Sequence, residues 1–197
     1  MRRTIAQSLG FAVRRKREAR DPQDQYGRVH VLASAVRTIA EESESKPGRE
    51  TGGVLVGFFD SGLGAIVVTA ASGPGPLAHH GPSTFNRDRA YCQAFLDTHA
   101  AATRGLVDFV GEWHKHPEPN PWPSPVDVKT YTRLAIDPQC HVSLPLVLIV
   151  GVSTCSLAPP VESYHRTNAF VFCRDGFTPR RVQLLPDEAY LDLLVTS

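Results

Sequence analysis

Apolar positions recur along this chain with two periods, and the switches between them outline its elements. Leu32, Ala35, Val36 and Ile39 fall at helical spacing and predict a helix over 28–43. The charged run 41–48 closes on Lys46-Pro47-Gly48, a loop. Residues 53–59 and 65–71 are rich in β-branched and aromatic side chains, and Asp60-Ser61-Gly62 between them predicts a hairpin. Gly and Pro make 72–83 a loop. A second helix is predicted over 87–103, with Tyr91, Ala94, Phe95 and Thr98 on one face, and a strand over 106–114. Pro117, Pro119, Pro121, Pro123 and Pro125 then occupy every second position, which allows neither helix nor central strand and predicts a stiff, extended loop. A third helix starts near Ser124 and turns Val128, Tyr131 and Leu134 inward. The nearly unbroken apolar run 144–150 predicts a strand buried on both faces. A long loop is predicted over 152–167, closing strands over 169–174 and 180–185, and a short terminal helix. Helices and strands interleave around one sheet, so the fold class is α/β or α+β; the pattern leaves parallel and mixed pairing open.

Composition narrows the setting. The chain has 197 residues, 42% apolar and 21% charged, which suits one globular domain with a sizeable core. The formal net charge of +1 gives no global field for nucleic acid. Charge is nevertheless uneven: residues 2–20 hold seven basic side chains against Glu18 alone, so 1–25 is read as a basic, solvated arm and 26–197 as the domain. The arm's apolar stretch is interrupted by Gln7 and Ser8 and followed by arginines, which argues against a secretory signal. No run approaches the roughly 20 apolar residues of a membrane span. Cys92, Cys140, Cys155 and Cys173 are scattered without a CxxC pair and read as free thiols of a cytoplasmic protein.

The chemistry concentrates in Gly111-Glu112-Trp113-His114-Lys115-His116-Pro117. Side chains at i and i+2 of a strand share a side, so His114 and His116 can reach one ion at about 2.0–2.1 Å. Asp127 follows eleven residues after His116, and the proline loop can return its carboxylate as a third ligand. Three protein ligands leave a coordination position open, the layout of a catalytic zinc site. A plainer reading stands beside this one. Ser124-Pro125-Val126-Asp127 is also a helix start, with Ser as N-cap, Pro at the first turn and an acid at the third position. The two readings are compatible, because a helix start fixes where both side chains point.

These residues resemble a known family. His114-Lys115-His116-Pro117, six intervening residues, then Ser124-Pro125-Val126-Asp127 is similar to the HxHP…SxxD motif of the JAMM (MPN-plus, JAB-domain) zinc metalloproteases. Glu50-Thr51-Gly52-Gly53-Val54-Leu55-Val56-Gly57 resembles the family's upstream glutamate and following strand, and the likeness covers roughly 28–150. It implies an MPN/JAB, cytidine-deaminase-like fold: a mixed sheet flanked by helices in one domain. It implies Zn2+ on His114, His116 and Asp127, Glu50 as the general base, and Ser124 as the stabiliser of the oxyanion. Glu112 shares a strand side with both histidines and is a candidate to orient an imidazole. Trp113 is assigned to the core and Trp122 to the substrate groove; His30, His79, His80, His99, His141 and His165 lack ligand spacing and are assigned to surface or loops.

The activity implied is hydrolysis of the peptide or isopeptide bond after the C-terminus of a ubiquitin-like protein, in deconjugation or precursor processing. The short stretch 136–143 and the absence of a further Cys/His set resemble the small prokaryotic members. Similar bacterial enzymes occur in antiphage operons beside a ubiquitin-like modifier with E1-like and E2-like proteins, or beside a cGAS-like cyclase, which names the expected partners. Two alternatives remain: a zinc amidohydrolase acting on a sulfur-carrier conjugate or small amide, and a non-catalytic MPN scaffold.

Overall fold

The computed structural model describes residues 25–154 and 163–190. The predicted basic arm and the residues after 190 lie outside them. The elements run β1 (Arg28–Leu32), α1 (Ala33–Ser45), β2 (Thr51–Asp60), β3 (Ala65–Ala71), β4 (His79–His80), β5 (Phe85–Asn86), α2 (Arg89–Ala102), β6 (Asp108–His116), α3 (Pro125–Leu134), β7 (Leu146–Thr154), β8 (Ser163–Cys173) and β9 (Gly176–Leu185), ending in a 3-10 turn at Asp187–Tyr190. Strands associate in the order β1-β3-β2-β6-β7-β8-β9, and β9 pairs back onto β1 to close the sheet. Pairing is mixed: β1 runs parallel to β3 and β9, β6 parallel to β7, and the remaining pairs of this sheet are antiparallel. The mixed sheet with three helices is the α/β architecture expected, and it decides the pairing that the sequence left open. No helix among the described residues is long and apolar enough to cross a membrane.

The site lies where β6 ends between two neighbours. On one side β2 pairs with it antiparallel, placing Thr51 opposite Lys115 and Gly52 opposite His114. On the other, β7 runs parallel, with Ile149 beside His114 and Gly151 beside His116. A parallel pair needs a long crossover; the proline loop and α3 supply it. Gly52 permits the close approach of β2, since a Cβ there would collide with the carbonyl oxygen of Trp113. Beneath the site, Leu55, Trp113, Leu146, Leu148 and Val150 form one buried cluster with the inner residues of β1 and β3. Tyr131, Val147, Ile149, Phe170 and Phe172 form another against α3, with Val128 and Leu134 packed on it as predicted.

Several expectations are corrected. Residues 28–32 are strand, not the first turns of a helix, because Val29 and Val31 are buried in a ladder held by partners on both sides. His30 in that strand is buried, not at the surface, with Nδ1 2.6 Å from the Tyr190 hydroxyl. The inward face of α2 is rotated from the predicted one: Cys92 is buried, while Tyr91, Ala94 and Thr98 are exposed. The long loop over 152–167 is replaced in part by the ends of β7 and β8, which pair from Leu146 with Val171 to Thr154 with Ser163. Residues 155–162 between them lie outside the described residues.

Candidate metal centre

β6 extends through His116, two residues beyond the predicted strand, so both histidines are ladder residues facing the same side. Their rings meet: His114 Nε2 and His116 Nε2 are 3.0 Å apart. Asp127 completes a triangle, with one carboxylate oxygen 3.4 Å from His114 Nε2 and the other 3.4 Å from His116 Nε2. The fit to a metal can be tested on these distances. Ligands about 2.0–2.1 Å from a tetrahedral ion sit roughly 3.3–3.4 Å from one another. The three observed separations cluster at that value. His116 Nδ1 lies 3.2 Å from the backbone oxygen of Asn120. A carbonyl only accepts, so Nδ1 carries the proton and the Nε2 lone pair points at the other donors. Converging lone pairs and a carboxylate form a cradle suited to a cation.

The electrostatics agree in direction. Burial alone would raise the Asp127 carboxyl, but hydrogen bonding to His114 and His116, reinforced by Ser124, holds it far below the usual carboxylate range. Burial would lower His116, yet Asp127 and the Asn120 carbonyl together raise it. Both groups are held in the charge states that attract each other.

α3 aims Asp127. Ser124 is its N-cap and Pro125 opens the helix. The Ser124 backbone N–H and hydroxyl both donate to Asp127 Oδ2, at 2.8 and 2.6 Å, and the Asp127 N–H donates back to Ser124 Oγ at 3.2 Å. The capping box and the ligand geometry therefore coexist on one carboxylate. In this arrangement the Ser124 hydroxyl proton belongs to Asp127, so stabilising an oxyanion requires it to turn away.

Glu50 immediately precedes β2. Its N–H donates to the Gly81 carbonyl at 2.8 Å, and its own carbonyl lies 2.9 Å from His80 Nδ1, which ties it to the β4–β5 hairpin. Burial raises its carboxyl above the ordinary value, partly offset by His114 and His116, so it shares the electrostatic neighbourhood of the cradle. Among the described residues, His114, His116 and Asp127 are the group whose donor atoms converge, all within 4.8 Å. Glu42, a bystander in the charged run, instead accepts from the Thr51 hydroxyl at 2.7 Å.

Other residues near the site have structural duties that sequence reasoning assigned only in part. Glu112 does not touch an imidazole; both its oxygens receive the guanidinium of Arg87. Trp113 is buried as expected and its ring N–H donates to Ser72 at 2.9 Å. Trp122 is half-exposed, edge-on to Phe170 and Phe177 with centroids 5.0 and 6.0 Å away. Lys115, which reads as a spacer between the histidines, faces the opposite side and is buried. Its Nζ donates to the carbonyls of Ser43 and Lys46 at 2.8 and 2.6 Å, closing the C-terminal end of α1.

A family model described as prokaryotic homologs of the JAB domain matches residues 32–166. The chain belongs to this family. It is similar to a CD-NTase/cGAS isopeptidase of Enterobacter hormaechei, 32% identical over 123 residues, covering 61% of this chain and 66% of that protein. It is also similar to a CD-NTase/cGAS isopeptidase of Escherichia coli, 30% identical over 104 residues, covering 52% and 62%. A probable metalloprotease of Sinorhizobium fredii is 23% identical over 123 residues, covering 62% and 74%. The matches thus span about two thirds of these relatives' length. The fold resembles the solution structure of a Desulfitobacterium hafniense protein, with a TM-score of 0.56 at 20% identity, covering 80% of this chain and 93% of that one.

Proposed function

We propose that this JAB-family chain is a zinc-dependent peptidase that hydrolyses the amide bond after the C-terminus of a ubiquitin-like protein. The observation that carries the reading is the triangle of His114 Nε2, His116 Nε2 and Asp127 carboxylate at 3.0–3.4 Å. Relatives named isopeptidases and a metalloprotease support it. His114, His116 and Asp127 would hold the ion, whose mixed nitrogen and oxygen donors suit zinc. When bound, zinc supplies a Lewis acid that makes water acidic near neutral pH and polarises a carbonyl.

Glu50 takes the proton of the attacking water and returns it to the departing amine. Its raised carboxyl suits this task, because a base serves best with a pKa drawn towards the working pH. Ser124 turns its hydroxyl from Asp127 to the developing oxyanion, leaving the backbone half of the capping box in place. Replacing Ser124 by Ala should cost about 0.5–2 kcal/mol of stability through the lost cap, and by Gly only a few tenths. Both variants should slow turnover by about 10²–10³-fold. Activity that follows stability instead, with the Gly variant near wild type, would reduce Ser124 to a cap.

The modifier's tail is the recognised element, laid extended beside the site, where main-chain pairing gives affinity for many sequences. The test is to offer a ubiquitin-like modifier fused to several unrelated proteins, a CD-NTase conjugate among them. The expected result is cleavage at the modifier's C-terminus in every fusion. Hydrolysis of small amides alone would favour the amidohydrolase reading, and no turnover with metal bound would favour the scaffold.

A further inference from the structure

Behind the cradle, polar side chains from three elements run in single file to His114. Arg87 precedes α2, Glu112 lies in β6 and Tyr131 in α3. Both guanidinium arms of Arg87 reach the two oxygens of Glu112. The Tyr131 hydroxyl is hydrogen-bonded to Glu112, and it lies 3.2 Å from Nδ1 of His114. All of this is shielded: the Tyr131 and Glu112 residues are 5% and 8% exposed. The ring of Tyr131 also lies nearly parallel to that of His114, at 17°.

The direction of every bond in this file follows from donor inventory. Arginine only donates, and a carboxylate held by it in two places is ionised and only accepts. Tyr131 has one proton, and Glu112 can only take it. The Tyr131 oxygen is left with lone pairs, so its bond to His114 exists only if Nδ1–H donates. Neutral imidazole has one N–H. With that proton on Nδ1, the Nε2 lone pair is free and points at His116 and Asp127. The opposite tautomer would put a proton in the middle of the cradle and leave Tyr131 facing a bare Nδ1.

We infer that Arg87, Glu112 and Tyr131 are positioning residues that lock His114 in its Nδ1–H tautomer and so prepare Nε2 to ligate a metal before any metal arrives. The inference rests on the proposed metal site, but the tautomer is a property of the metal-free protein and can be read without it. Arg87 anchors the file because it supplies the charge that keeps Glu112 ionised inside the protein; without it, a buried carboxylate would take up a proton and the direction would be lost. His116 obtains the same tautomer from a backbone carbonyl, so the two ligands are set by unrelated means.

The experiment uses Tyr131→Phe, which keeps the ring in its apolar cluster and removes only the oxygen. In metal-free wild type, nitrogen-15 NMR of the imidazoles should show His114 as the Nδ1–H tautomer. In metal-free Tyr131→Phe the ring should move towards a mixture, while His116 remains unchanged. Zinc affinity, measured by chelator competition, should fall about 10–100-fold. Glu112→Gln supplies a second reading, because its amide can donate to Tyr131 and reverse the file; His114 should then gain Nε2–H. An Nε2–H tautomer in wild type, or an unchanged tautomer and affinity in Tyr131→Phe, would overturn the inference. Wild type that shows Nδ1–H yet binds no zinc would instead overturn the metal site and leave the locking intact.

Discussion

Replacing Glu50 with glutamine should lower kcat by about 10²–10⁴-fold, the contribution of a positioned general base. Bound metal should be undiminished, because Glu50 is not among the three converging donors. The substitution keeps size and polarity and removes the basic oxygen. The backbone of Glu50 is held independently of its side chain, by Gly81 and His80, so the loop and the start of β2 should stay in place. Turnover of a modifier fusion and metal content should be measured on the same preparation. Lost turnover with retained metal assigns the base. Wild-type turnover would move that role elsewhere, and Glu112 is poorly suited to it because Arg87 already occupies both its oxygens.

The second large effect is expected at His116. His116→Ala deletes one corner of the triangle and should abolish both metal retention and turnover. The fold should survive, since β6 is held by β2 on one side and β7 on the other and His116 lies at the strand's end. Metal bound to the folded state alone adds stability in proportion to its binding free energy. The variant should therefore melt near metal-free wild type and below metal-loaded wild type, in differential scanning calorimetry with and without zinc. A variant that melts far below metal-free wild type would mean that His116 has a packing role that the geometry does not suggest.

Much of the candidate site is readable in the chain because its parts are local. His114, His116, Ser124 and Asp127 fall within one short segment, and strand alternation plus a helix start determine which way they point. The hairpin of β2 and β3 and the buried β7 are legible for the same reason. What stayed hidden depends on partners distant in sequence. β1 carries Val29, Val31 and Leu32 in a pattern that also suits a helix, and only its pairing with β3 and β9 makes it a strand. The outer half of β8 is polar, and its strand identity comes from the β7 ladder. Lys115 looks like a solvated spacer until α1 is seen to end above it. Arg87, Glu112 and Tyr131 carry no motif, because elements 19 and 25 residues apart bring them together.

Metal stoichiometry of the wild-type protein, measured by native mass spectrometry and elemental analysis after expression with ample zinc, tests the central claim most directly. The account predicts about one zinc per chain, removed by chelation together with peptidase activity and restored with it on adding zinc back. A folded protein that carries no zinc and takes none up would contradict it.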